Sequence, residues 1–290
     1  TDDVFVVFSP FYVPTLQPLD RYECHVELGY MRIVSEIYGL RCDVTIFVPK
    51  GEHCEVRSIK ITNIGDAPQT VDVIPLIEYT HPNALQQFTN ADWIPQTQQS
   101  WMVKDGDYTI LMQCPFMNRG LQENYFTSNM PVASFETDRK KFLGDNEYGT
   151  FANPLSLQQA QLSNTEAVRG DIVAAMLHEM GAIQPGETRE LITQFGQAKN
   201  LDAAKASIAK FRKAQAIEDE LAAMAEFWED YMSVMQVETP DADMNRMLNV
   251  HNPYQCYMTK TWSRYLSYYQ LGMGSRGIGM RDSSQDILAN

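Results

Sequence analysis

CDVTIFVPKGEHCEVRSIKITN, residues 42–63, decides the fold. Its first part, Cys42–Pro49, alternates in side-chain character, and its last part, Glu55–Asn63, repeats that alternation with β-branched residues at period two. PKGEH between them carries Pro and Gly and predicts a hairpin-like turn. Working outward, NIGDAPQ predicts the next turn and Thr70–Tyr79 (TVDVIPLIEY) the next strand. Tyr108–Cys114 (YTILMQC), Asp171–His178 (DIVAAMLH) and Thr188–Phe195 (TRELITQF, after the turn QPGE) fit further strands. Many short strands with no comparable helices among them predict an antiparallel β-sandwich.

Past Gly196 the character changes. Leu201–Val237 contains no Gly or Pro, is rich in Ala, Glu, Lys and Met, and places Ile208, Phe211, Ile217, Leu221, Met224 and Trp228 at helical spacing. It predicts one amphipathic helix or two joined ones. ETPDADMNRML then supplies Pro240 and Asp241 as a start signal for a second helix through about Thr261. The expected organisation is a β-sandwich domain over 1–197, a helical linker over 198–238, and the start of an α-helical domain over 239–290. A lone terminal helix does not bury its apolar face, so that last domain is expected to continue past Asn290.

The 290 residues, 44% apolar and 21% charged, are ordinary for a globular protein of about two domains. A net charge of −14 argues against a nucleic-acid partner and disfavours an anionic membrane surface. No apolar run approaches the roughly 20 residues of a membrane span, and TDDVFVVFSPF shows no signal peptide. The five cysteines, at 24, 42, 54, 114 and 256, have no metal-ligand spacing. Free thiols in a reducing, cytoplasmic compartment are expected, with two disulfides and a spare thiol as the alternative. The histidines form no triad with a nucleophile elbow, and the 15 methionines read as core filler.

The chemistry concentrates at 254–290. Tyr254, Tyr257, Trp262, Tyr265, Tyr268 and Tyr269 precede GSRGIGMRDSSQD, which holds three glycines, two arginines and two aspartates. Aromatic faces stack on sugar rings, and carboxylate, guanidinium and amide groups bind vicinal hydroxyls in pairs. The competing reading is helix core for the aromatics and a surface ion pair for Arg281 and Asp286.

The tract from His251 to Leu288, RGIGMRDSSQD above all, resembles the glycoside hydrolase family 94 phosphorylases. The stretches 79–100, 125–157 and 166–197 resemble the cellodextrin phosphorylases most within that family. The resemblance implies a galactose mutarotase-like β-sandwich, linker helices and the first part of an (α/α)6 barrel. It implies inverting, reversible phosphorolysis of cellodextrins to α-glucose 1-phosphate, with inorganic phosphate as co-substrate and no metal or organic cofactor. Arg281 and Asp286 would hold the donor sugar, with Arg276 and Gln285 in the same pocket. Asp282 reads as a capping or ion-pair residue. DRKKFLGDNEYG (138–149) resembles a family loop that reaches an active-site entrance, with Arg139, Phe142, Leu143 and Gly144 at its core. A homodimer is implied too, since such loops approach the neighbouring cleft. Asp92 and Trp93 are weaker candidates for an acceptor site. No position matches the family's catalytic acid, an aspartate expected beyond residue 290, so these residues alone are expected to be inactive. The alternatives are another enzyme of the family, acting on cellobiose, laminaribiose or β-1,2-linked glucans, and a non-catalytic carbohydrate-binding module.

Overall fold

In a computed structural model of the chain, residues 6–82, 93–259 and Ser284 are described. Twelve strands are present among them: β1 Arg21–Val26, β2 Tyr30–Ile37, β3 Leu40–Phe47, β4 Cys54–Asn63, β5 Gln69–Val73, β6 Leu76–Glu78, β7 Gln98–Asp105, β8 Tyr108–Pro115, β9 Glu123–Ser128, β10 Ser134–Asp138, β11 Ile172–Ile183 and β12 Thr188–Ala198. Their pairings are antiparallel throughout. Eight form one sheet in the order β1-β2-β3-β4-β12-β9-β8-β7, and β10-β11-β5 with β6 form a second. The expected sandwich is present.

The 42–63 hairpin is in place, with Cys42 opposite Ile61 and Val44 opposite Ile59. Alternation turns Leu40, Cys42 and Ile61 toward Ile183, Val71 and Val73 of the second sheet. Farther along, Leu111 and Phe126 of the large sheet meet Phe135, Ala174 and Met176 of the small one. β12 lies between β4 and β9, pairing Thr188 with Thr62 on one side and Phe195 with Phe126 on the other. Among the described residues it alone joins the β1–β4 half of the large sheet to the β7–β9 half.

Two strand boundaries differ from the sequence reading. The stretch 70–79 is two strands, because Pro75 has no N–H for the ladder. Both pieces still pair with β11, and the Pro75 carbonyl accepts from the Met176 amide at 3.3 Å. β11 runs on to Ile183, past the predicted end at His178, across an irregularity between Glu179 and Gly181. It is buried on both faces. Ala174 and Met176 enter the sandwich core, while Val173, Ala175 and Leu177 pack under Phe142, Leu143 and Leu162 from the 139–162 excursion. That double burial explains its unbroken apolar run.

The first helix after the sandwich, Leu201–Phe211, is capped by Asn200, whose side chain accepts from Ala203 N. Ala204, Ile208 and Phe211 are its buried stripe. The Gln194 amide donates to the Ile208 carbonyl at 2.9 Å, tying this helix to β12. Arg212 at its end reaches Asp105 at 2.7 Å and lies 3.9 Å over the Tyr108 ring. A second helix, Ala214–Ser233, follows, so the Leu201–Val237 stretch holds two helices rather than one.

The chain divides into compact units at 1–221 and 222–290. In the second unit, Asp241 caps Ala242–Arg246, and the helix continues through a π-turn at Met247–His251 into Asn252–Met258. Trp228 contacts Tyr254 and Tyr257 at ring-centroid distances of 5.3 and 5.1 Å, edge to face. Among the described residues no helix is long and apolar enough to cross a membrane.

Candidate functional site

Arg276, Arg281, Gln285 and Asp286, the predicted donor-sugar residues, lie outside the described residues, as do Asp92 and Asp282. Of the six aromatics before them, Tyr254 and Tyr257 are described, and both pack within the Trp228 cluster. Trp93 is half-exposed at the start of a short 3-10 turn, Ile94–Thr97.

The 138–149 segment is described and forms one wall of a cleft of about 750 Å³. β10 ends in Asp138, which caps the five-residue helix Arg139–Leu143 by accepting from Lys141 N at 3.1 Å. Gly144 ends that helix at φ +65°, its amide donating to the Lys140 carbonyl at 2.8 Å. No other residue fits there: a Cβ would lie 2.6 Å from Leu155 Cβ. Phe142 and Leu143 are buried against β11 and anchor the wall. Arg139 binds Glu78 at 2.5 Å and stacks 5.2 Å from the Phe151 ring centroid, so its guanidinium is already engaged. The opposite wall is Arg169–Asp171, held where Gly170 N donates to the Pro95 carbonyl at 3.0 Å and Arg139 N to the Asp171 carbonyl at 3.2 Å.

Charges of both signs line this cleft in equal number, Arg139, Lys140 and Arg169 against Asp138, Asp145 and Asp171. Lys140, Arg169, Asp145 and Asp171 make no ion pair among the described residues. Tyr148 stands at the cleft fully exposed, in the left-handed region at φ +59°, which a bulky residue occupies at a cost. Interleaved donors and acceptors beside an aromatic ring suit a neutral, hydroxyl-rich ligand better than an ion.

Sequence reasoning did not single out Glu136, Tyr148 or the 169–171 wall. Glu136 is fully buried in β10, where Oε1 accepts from the amides of Thr137 and Asp138 at 2.9 and 2.8 Å and Oε2 accepts from the Ser163 hydroxyl. The available signal was its place between Phe135 and Thr137 in a strand, where an inward acid is unusual.

The glycosyl hydrolase 94 supersandwich-domain family model matches residues 3–214, and the glycosyl hydrolase 94 superfamily catalytic-domain model matches 227–290. The chain belongs to glycosyl hydrolase family 94. Its relatives include an N,N'-diacetylchitobiose phosphorylase of Vibrio furnissii, 26% identical over 99% of this chain and 35% of that protein. A cellobionic acid phosphorylase of Neurospora crassa is 27% identical over 87% of this chain and 31% of its own length. A cyclic beta-(1,2)-glucan synthase of Rhizobium meliloti is 26% identical over 98% of this chain and 10% of its own length. The chain thus spans about a third of the first of these relatives. Among solved structures, a bacterial glucoamylase complexed with acarbose overlays at TM-score 0.48 with 13% identity, over 74% of this chain and 29% of that one.

Among the described residues no group of three or more His, Cys, Asp or Glu could hold a metal ion. All five cysteines are free; Cys42, Cys54 and Cys114 are buried, and Cys24 is exposed.

Proposed function

We propose that this chain belongs to an enzyme that phosphorolyses a β-linked gluco-oligosaccharide, with cellodextrins as the substrate and α-glucose 1-phosphate as a product. The observation that carries the reading is the pair of family 94 domains in sequence order, sandwich at 3–214 and catalytic domain from 227. Inorganic phosphate attacks the anomeric carbon of the terminal glucose, and a carboxylic acid protonates the departing oxygen, so the configuration inverts. This is the inverting glycosidase scheme with phosphate replacing the activated water, and it needs one protein acid and no general base. No residue of this chain is assigned as that acid. Arg281 and Asp286, with Arg276 and Gln285, take the role of gripping the donor sugar, since guanidinium, carboxylate and amide groups suit paired bonds with vicinal hydroxyls. The cellodextrin assignment is supported by the stretches 79–100, 125–157 and 166–197, and a homodimer in the cytoplasm is the setting it expects.

The test is release of sugar 1-phosphate by the full-length protein from cellotetraose, cellobiose, laminaribiose, sophorose and N,N'-diacetylchitobiose, each with phosphate. Preference for cellotetraose over cellobiose is expected. Preference for another sugar keeps the reaction and changes the substrate. Phosphate-independent binding without turnover of any sugar overturns the reading.

A further inference from the structure

β1 is an edge strand: among the described residues it pairs with β2 and with no other strand. A bulge, a proline or a row of lysines commonly guards such an edge against further pairing. β1 has none of these. Its register with β2 is unbroken from Arg21 to Val26, and its charged residues differ in sign.

The hairpin register fixes which backbone groups face outward. Glu27 N donates to the Tyr30 carbonyl at 3.0 Å and closes the β1–β2 turn, so these two form a hydrogen-bonded pair. Such pairs alternate along an antiparallel ladder. Glu23 and His25 therefore direct their amides and carbonyls to β2, while Tyr22, Cys24 and Val26 turn theirs to the open side. The side chains of those three share one face of the strand. Tyr22, Val26 and its register partner Met31 are 48%, 75% and 40% exposed, an apolar strip beside the open backbone groups.

Register also decides which strand fits there. A second β1, antiparallel and centred on Cys24, sets Cys24 against Cys24 and Tyr22 against Val26, so each outward amide meets an outward carbonyl. It sets Arg21 against Glu27 and Glu23 against His25, base against acid in both. Glu27 is open to a partner's arginine, because it makes no ion pair among the described residues. The nearest registers that keep the outward groups in phase do worse. Centring on Glu23 sets Glu23 against itself and Arg21 against His25, and centring on His25 sets Glu23 against Glu27.

We infer that β1 is a self-complementary edge through which two copies of this chain join as one continuous sheet, about a two-fold axis at Cys24. The pairing is independent of which sugar the enzyme takes.

The experiment is sedimentation of the full-length protein at micromolar concentration, and a dimer is expected. Cys24→Pro deletes an outward amide and no β1–β2 bond, so it is expected to raise the dimer Kd about tenfold while the monomer keeps its Tm. Arg21→Glu and Glu27→Arg each bring like charges face to face and are expected to raise Kd about tenfold. An equimolar mixture of the two should regain the parent's Kd, because each supplies the charge the other lacks. Hydrogen-bonded partners lie about 5.5 Å apart at Cα, so a short bis-maleimide should link the parent's protomers and leave Cys24→Ser unlinked. A monomeric parent, its edge taken by another part of its own chain, overturns the inference. So does a Cys24→Pro protein that dimerises as tightly as the parent, or a mixture no tighter than the single variants. Should Cys24→Pro not fold, the charge variants and their mixture, which keep the backbone intact, decide alone.

Discussion

The ring of Tyr125 lies across the backbone of Gly196, its register partner between β9 and β12, so closely that a Cβ on Gly196 would sit 2.4 Å from Tyr125 Cζ and Oη. The glycine is the vacancy into which the ring folds, at the centre of the large sheet. Gly196→Ala is expected to destabilise the sandwich by about 1–3 kcal/mol, the range for overpacking. Thermal melts of Gly196→Ala, Tyr125→Ala and the double variant check this. The double variant should lose clearly less than the sum of the two single losses, because each removes the other's problem.

Gly144 faces a different constraint, with both a left-handed φ of +65° and Leu155 Cβ within 2.6 Å of any added methyl. Gly144→Ala is expected to cost more than about 1 kcal/mol, since strain and clash add. Leu155→Gly in the same chain, which removes the clashing Cβ that alanine would keep, should recover the steric part and leave the backbone part, as read from urea midpoints.

His178 is buried in β11 with Nδ1 donating to the Pro131 carbonyl at 2.9 Å, and burial holds its pKa below the ordinary value of 6.5. Its neutral form is the folded form. The stability it contributes is complete above the unfolded pKa and is lost as pH falls through the depressed folded value. Unfolding free energy measured from pH 7 downward should therefore fall more steeply in the parent protein than in His178→Gln. Equal slopes would show that His178 does not couple folding to protons.

Burial pushes the Cys42 thiol up to about 12 and the Cys114 thiol up to about 11, with desolvation the leading cause in both. Thiolate is the reactive form. Mass spectrometry after brief alkylation at pH 8 is expected to find Cys24 modified and Cys42 and Cys114 intact, and denaturant should expose all of them. Early modification of Cys42 would place it nearer solvent than its packing with Leu40 and Ile61 allows.

What the sequence made legible follows one rule: apolar alternation is readable, and burial achieved by other means is not. β3 and β4 stood out because Val44, Val56 and Ile61 each stand between polar neighbours. β1 did not, because it is mostly exposed, and Arg21 binds Glu23 and Glu36 instead of presenting an apolar face. β9 is buried along its whole length with Glu123, Asn124, Thr127 and Ser128 inside, so its polar letters conceal its place. Asn124 there donates to Gln113 at 2.8 Å and accepts from Gln197 at 3.0 Å, a cross-strand amide ladder that composition does not reveal. At the cleft, Arg139–Gly144 was legible through resemblance alone. The opposite wall at 169–171 was not, because thirty residues of chain separate surfaces that only the fold brings together.

The place of β12 between β4 and β9 has a consequence for synthesis on the ribosome. Strands β1–β4 emerge early and β7–β9 later, each a partial sheet with an open inner edge. Neither edge closes until residues Thr188–Ala198 leave the exit tunnel and slide between them. The last strand made is thus the keystone of the first domain, and the nascent chain carries two adhesive borders throughout the interval. Slow decoding ahead of residue 188 would lengthen that exposure, and rapid passage through this stretch is the kinetic protection the topology calls for.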